Sequence, residues 1–377
     1  MEAVRAPKWP VGKLGIISMK GCEEISAAID KYLVSWHNEK YDNEIETFIV
    51  KTACPRFNSG EGKGVVYQSV RGFDIYIICD VFNYGVTYKM YNKEVPMSPD
   101  DHYQDLKRVI GAIEGKARRI TVIMPMLYES RQHKRTARES LDCALALKEL
   151  VAMGVDDIIT FDAHDPRVQN AIPLNGFENV QAYYQMIKAL LKNYPDIEID
   201  KEHLMVCSPD EGGMNRCIYY SSVLGLDLGM FYKRRDYSKI VNGRNPIVSH
   251  DFLGDNVQGK DIIIVDDMIA SGESLIDVSK KLKEKGANKI YAFITFGLFV
   301  DGLSKFDEAY EKGYIEKIFT TNLTYRKPEL LERKWYASVD MSKYLAIIID
   351  TLNYDKTISD LIDPVKRINT VLEKRNK

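Results

Sequence analysis

IIIVDDMIASGES, residues 262–274, is an unbroken apolar run that ends in two adjacent carboxylates and then in a turn of small residues opening a helix. Continuous β-branched residues of this length suit a strand covered on both faces, as in a parallel sheet. Two acids at such a strand end, Asp266 and Asp267, can accept hydrogen bonds from a vicinal diol. Ser271, Gly272 and Ser274 bring backbone N–H groups and hydroxyls together at a helix N-terminus, which suits a phosphate. The same residues also fit a plain strand, a Ser-capped helix and two solvated acids. Composition alone does not choose.

The pattern recurs along the chain. Apolar runs at 75–79, 120–124, 158–161, 204–207 and 290–296 are each followed by a polar or glycine-rich turn and then by helical periodicity. Ala144, Leu147 and Val151 predict a helix over 136–153 that Gly154 stops, and Leu275, Val278 and Leu282 predict one over 274–285 before Gly286. Alternating strand and helix implies α/β architecture, with ligands at the carboxyl ends of strands. Residues 84–105, tyrosine-rich and interrupted by Pro96 and Pro99, read as a surface excursion. A domain boundary is expected within 175–180, and the charged segment 363–377 is expected to fray.

The 377 residues suffice for two domains with proper cores, and 45% hydrophobic with 28% charged residues is the balance of a soluble globular protein. A formal net charge of -2 argues against a broad cationic face for nucleic acid or anionic lipid, so any anion site must be local. Six cysteines without a C-x-x-C pair read as buried thiols of a reducing compartment, not as disulfides or a zinc site. The longest apolar run, 290–300, is too short to span a bilayer, and 1–11 holds no apolar signal core. A cytoplasmic location is therefore expected.

Other segments carry chemistry. In CSPDEGGMNR, residues 207–216, an apolar strand meets a glycine turn and a helix. Gly212 and Gly213 let backbone approach a polyphosphate, and Asp210 is placed to reach its metal. YKRRD, residues 232–236, offers Lys233, Arg234 and Arg235 as cationic donors, although such a triplet alone is nearly always solvated surface. FDAHDPRVQ, residues 161–169, sets His164 at a strand end, where a lone histidine is more often structural. Tyr128, Arg131, Gln132 and His133 follow the strand at 119–125.

These blocks together resemble the ribose-phosphate pyrophosphokinase family. V-D-D followed by a small turn is shared with type I phosphoribosyltransferases, but CSPDEGGMNR resembles the family's S-P-D-x-G-G-x-x-R and is not usual in the transferases. K-R-R matches a mobile catalytic loop, 161–169 the D-L-H segment, 131–133 the R-Q-D segment, FNSGE (57–61) the F-x-D-G-E flag loop and QSVRG (68–72) the family's E-S-V-R-G. The match runs in order from about residue 16 to about residue 349.

The resemblance implies an α/β fold of two phosphoribosyltransferase-type domains, each a mainly parallel sheet flanked by helices. These are an ATP-side domain at 12–178, onto which 343–362 packs back, and a ribose 5-phosphate domain at 179–342. It implies Asp266 and Asp267 on the ribose hydroxyls and Ala270, Ser271, Gly272, Glu273 and Ser274 around the 5-phosphate. Asp210, Gly212 and Gly213 would form the diphosphate loop, and His164 and Asp210 would act through Mg²⁺. Arg131, Gln132 and His133 would lie along ATP. Phe57, Ser59 and Glu61 would reach the adenine of a neighbouring subunit, which requires at least a homodimer. Lys233 and Arg235 would stabilise the diphosphoryl group in flight.

Four positions depart from the family pattern. Ser59 and His133 each replace an Asp, Ala270 replaces the Asp that usually starts the phosphate turn, and Glu273 replaces a Gly. These substitutions, with a longer chain, mark a divergent member. A non-catalytic regulatory paralogue and a type I phosphoribosyltransferase remain the alternatives. Glu273 is expected to point outward, capping the helix or pairing with a nearby cation, because its carboxylate would repel a phosphate in the same cavity.

Overall fold

The computed structural model describes residues 9–235 and 247–375, with the side chains of 233–235 and 247–250 outside the described part. It divides into two compact units. The first runs up to Ala182 and includes Asn322–Tyr325 and Asp340–Asp363; the second holds Tyr183–Thr321, Arg326–Val339 and the chain from Pro364 onward.

In the first unit, β1 (Lys13–Ser18), β2 (Phe73–Ile78), β3 (Arg119–Ile123), β4 (Asp157–Phe161) and β5 (Gly176–Val180) form one sheet whose spatial order is the chain order. Every neighbouring pair is parallel. Parallel neighbours need crossovers, and α1 (Glu23–Lys40), α2 (Pro99–Ile113) and α3 (Asp142–Ala152) supply the first three. Ile75, Tyr76, Ile77, Val122 and Ile159 are wholly buried, as their apolar runs require. The helix Ser342–Asn353 packs on α1. It is tied to the sheet through buried Asp74, which accepts from Asn353 Nδ2 at 2.8 Å and from both Nε and Nη2 of Arg119 at 2.7 Å.

Several expectations need correction here. Residues 84–105 are a surface excursion only in their first half. They form the hairpin Thr87–Met90 with Lys93–Pro96 and then open α2, which buries His102, Tyr103 and Asp105. Pro99 starts this helix because Ser98 and Asp101 form a capping box around a proline that needs no N–H partner. Residues 176–180 are β5, and the two units divide just after it, between Ala182 and Tyr183. The helix predicted over 136–153 begins only at Asp142, and its buried stripe is Cys143, Ala146, Leu147 and Leu150. Glu139 takes up the N–H and hydroxyl of Thr136, a local turn that competes with helix.

In the second unit, β6 (Leu204–Ser208), β7 (Asp227–Arg235), β8 (Ile247–Leu253), β9 (Asp261–Ile269), β10 (Ile290–Gly297), β11 (Lys317–Thr321) and β12 (Tyr336–Val339) form a sheet in the order β8-β7-β6-β9-β10-β11-β12. Only the β7–β8 pair is antiparallel. Helices α4 (Tyr183–Asn193), α5 (Met214–Leu224), α6 (Glu273–Glu284) and α7 (Ser304–Glu311) alternate with these strands. An aromatic group of Phe299, Phe306, Trp335 and Tyr336 fills the core beneath α6 and α7. Within the terminal segment, Val365–Arg375 is a helix packed on α4. No helix among the described residues is long and apolar enough to cross a membrane.

Asp157, at the start of β4, has a buried Oδ1 without a hydrogen-bond partner, and burial followed by the nearby Glu178 pushes its carboxyl up to about 6. The native state then holds this proton more tightly than the unfolded chain. Its stability contribution is full below about pH 4 and is lost as pH rises through about 6. Asp157→Asn should therefore raise stability at pH 8 by about 2 to 3 kcal/mol and change it little at pH 4. Denaturant melts at the two pH values check this, and an equal effect at both would refute it.

Candidate active site

The second unit has a topological switch point. From β6 the chain passes through α5 to β7 on one side, and from β9 it passes through α6 to β10 on the other, although β6 and β9 are direct parallel neighbours. Connections that leave adjacent strand ends in opposite directions open a crevice there, the usual ligand position in such sheets. The 207–216 and 262–274 segments are the two walls of this crevice.

On the β6 side, Ser208 Oγ donates to the Asp210 carbonyl at 2.6 Å, and Asp210 Oδ1 accepts from Gly212 N–H at 2.9 Å. A Cβ at Gly213 would lie 2.7 Å from Ser208 Oγ and 3.3 Å from the Val265 carbonyl. Only glycine lets this loop lie so close to β9. On the β9 side the strand continues to Ile269, so the two acids lie inside the strand's last turn of pairing and not at its end. Asp267 is buried and its N–H donates to Asp266 Oδ1 at 2.9 Å. Arg216, also buried, reaches within 3.6 Å of Asp267 Oδ2. Burial first, then Asp267 and Asp210, hold the Asp266 carboxyl well above the usual carboxylate range, against the opposing Arg216. Clustered carboxylates of this kind favour a proton or a bound cation.

The turn that follows also has a clear physical basis. Gly272 has φ +84°, and a Cβ there would fall 2.0 Å from Cζ of Phe306. The Phe306 ring thus dictates this glycine as firmly as any phosphate could. Ser271 Oγ accepts from Glu273 N–H at 3.4 Å, and α6 starts at Glu273. The Glu273 carboxylate points outward to Lys305 Nζ at 3.0 Å, with its side chain 72% exposed, as expected from the charge argument. Ser274 is exposed, and Ala270 accepts from Val300 N–H at 3.0 Å. Lys233 and Arg235 belong to β7, whose carboxyl end lies at the same sheet edge as that of parallel β6, but their side chains lie outside the described residues.

The first unit collects its candidates beyond β3 and β4. His133 Nδ1 lies 3.2 Å from the Ser130 carbonyl and Nε2 lies 3.6 Å from Asp165 Oδ2. The rings of His133 and His164 stand 5.2 Å apart at 59°. Burial, then His164, hold His133 below its ordinary range, whereas Arg167 pulls Asp165 down to about 2. Arg131 and His164 are exposed and Gln132 is half-buried. In the 57–61 turn, Ser59 Oγ donates to Glu61 Oε2 at 2.8 Å and Phe57 N–H bonds the Glu61 carbonyl at 2.7 Å, leaving the Phe57 ring 56% exposed.

Sequence reasoning missed Arg216, Asp165 and Phe306. Arg216 was visible as the arginine closing the 207–216 block. Nothing local marked the other two.

Two family models match the chain and together take in more than half of it: the N-terminal domain of ribose phosphate pyrophosphokinase over residues 14–154 and the phosphoribosyl synthetase-associated domain over 238–363. A ribose-phosphate pyrophosphokinase of Shewanella oneidensis is 29% identical over 81% of this chain and 88% of its own length. Ribose-phosphate pyrophosphokinase A of Dictyostelium discoideum is 26% identical over 86% and 93%. Among solved structures, a phosphoribosylpyrophosphate synthetase from Mycobacterium smegmatis superposes with a TM-score of 0.74 at 20% identity, covering 91% of this chain and 99% of that one, so the fold is shared.

Gly272→Ala combines a left-handed backbone with overlap of the Phe306 ring. Each typically costs about 1 to 3 kcal/mol. The variant should lose about 2 to 5 kcal/mol in denaturant unfolding, and the double variant Gly272→Ala/Phe306→Leu should recover part of that loss. A neutral Gly272→Ala would mean that the turn is not wedged as described.

Proposed function

Because the chain belongs to the ribose-phosphate pyrophosphokinase family, we propose that it transfers the β,γ-diphosphoryl group of ATP to the 1-hydroxyl of ribose 5-phosphate, giving phosphoribosyl diphosphate and AMP. The observation that carries this reading is the group of Asp210, Asp266, Asp267 and Arg216 at the β6–β9 switch point. Asp266 and Asp267 accept the sugar's 2- and 3-hydroxyls, and the N–H groups opening α6, with the Ser271 and Ser274 hydroxyls, take the 5-phosphate. The Gly212–Gly213 backbone lies along the diphosphate.

The donors gathered around Asp210 are carboxylate oxygens, and burial first, then Asp267 and Asp210, raise the Asp266 carboxyl there. Both features fit Mg²⁺, a hard cation that prefers carboxylate oxygen. When bound it supplies neutralisation of phosphate charge. Asp210 would hold it in this unit; His164, of the first unit, is taken as metal-facing on the family resemblance alone. The sugar hydroxyl attacks the β-phosphorus and AMP leaves. No covalent enzyme intermediate is needed, because positioning and cationic donors supply the catalysis. Lys233 and Arg235, beyond the carboxyl end of the β6–β7 pair, stabilise the charge that spreads over the transferring oxygens. Arg131, Gln132 and His133 lie along ATP, and the 57–61 turn completes a neighbour's adenine site, so the active form is at least a dimer.

AMP release from ATP should require both ribose 5-phosphate and Mg²⁺. Lys233→Ala and Arg235→Ala should each cut its turnover by about a hundredfold or more, with KM changing far less. Near-native turnover in both variants would remove the 232–236 segment from catalysis, and absence of AMP release in the parent protein would favour a regulatory role.

A further inference from the structure

The hairpin of Thr87–Met90 and Lys93–Pro96 stands apart from the five-stranded sheet of the first unit. Its tip is Tyr91 and Asn92, with φ of +47° and +60°, the left-handed pair that suits a two-residue hairpin turn. Lys93, Glu94 and Pro96 of the outer strand are exposed, and a lone two-stranded hairpin is marginal in water. It is held by what it touches, and its tip and inner face touch the 57–61 turn. Tyr91 N–H donates to the Asn58 carbonyl at 2.9 Å. Strand alternation puts Tyr88 and Met90 on one face and exposed Lys89 on the other. A Cβ at Gly60, where φ is +96°, would lie 2.7 Å from Met90 Sδ, so the Met90 side chain lies directly on the turn. Cζ of Arg56, the residue before the turn, stands over the Tyr88 ring at 5.0 Å from its centre. The Arg56 side chain is 7% exposed, and its Nη1 reaches Asp105 Oδ1 of α2 at 2.5 Å.

We infer that this hairpin is the positioning element of the 57–61 turn, with Met90 and Tyr88 as positioning residues for nucleotide binding. The inference rests on the reading above, on which the turn meets the adenine of a neighbouring subunit. The turn's own bonds, Phe57 N–H to the Glu61 carbonyl and Gly60 N–H to the Phe57 carbonyl, fix its shape but not its place. The Phe57 ring is 56% exposed and supplies no anchor. Asn58, Gly60 and Arg56 do, and each of them meets the hairpin. A turn that must be ordered on binding loses affinity by the fraction of time it spends elsewhere, and a turn held in place avoids that loss. The hairpin carries no residue assigned to the transferring phosphates. Its loss therefore shows in ATP binding and not in the chemical step.

The test is hydrogen exchange of residues 55–63 in the substrate-free full chain, paired with steady-state kinetics of AMP release. Met90→Ala and Tyr88→Ala should each speed exchange across 55–63 by about fivefold or more, with β2 unaltered. Both should raise KM for ATP by about fivefold or more, leaving kcat and KM for ribose 5-phosphate within about twofold. Met90→Leu and Tyr88→Phe keep the contacts and should restore parent behaviour, and Lys89→Ala on the outer face should not depart from it. Unaltered exchange in both alanine variants, or equal acceleration in Lys89→Ala, would overturn the inference. Because exchange needs no substrate, the two readings fail separately. Faster exchange with an unmoved KM for ATP sinks the adenine reading of the turn, and AMP release with unaltered exchange sinks only the hairpin's part.

Discussion

Crowded negative charge at the β6–β9 strand ends is the constraint on which the second unit turns. Asp210, Asp266 and Asp267 share one corner with Arg216, and burial already forces the Asp266 carboxyl out of its usual range. Burying charge costs several kcal/mol per ion unless partners compensate. The fold accepts the cost because two glycine-dependent approaches, Gly213 against Val265 and Gly272 against Phe306, leave the walls no other course. A cation and a polyhydroxyl ligand are what such a corner accommodates best.

The first unit solves a different problem. Its candidate residues come from the ends of β3 and β4, strands paired in parallel register, and they bring nitrogen to the site. Ser59 and His133 both stand where the family pattern has Asp. Ser59 is engaged with Glu61 within its own turn, while His133 is oriented toward Asp165 and His164. The departures at these two positions therefore have different physical meanings, one confined to its own turn and one reaching the residues beyond β4.

Much of this was legible in the sequence because it is local. The apolar runs are strands, the small-residue turns open helices, and Glu273 turns outward because one charge argument suffices. Other features were hidden by competing local bonds: the Ser98–Asp101 capping box made Pro99 a helix start, and the Thr136–Glu139 turn delayed α3. The encounter of His133 with His164, and of Gly272 with Phe306, depends on strand register and helix packing across about thirty residues, which no local pattern encodes. Residues 176–180 carry too few β-branched residues to announce β5.

The claim that the β6–β9 crevice receives the sugar phosphate is tested most directly by equilibrium binding of ribose 5-phosphate. Calorimetric titration in the presence of Mg²⁺ should give one saturable site per chain, weakened about tenfold or more by Asp267→Asn and untouched by Asp196→Asn at the opposite end of the unit. Unaltered affinity in Asp267→Asn, or no binding by the parent protein, would contradict it.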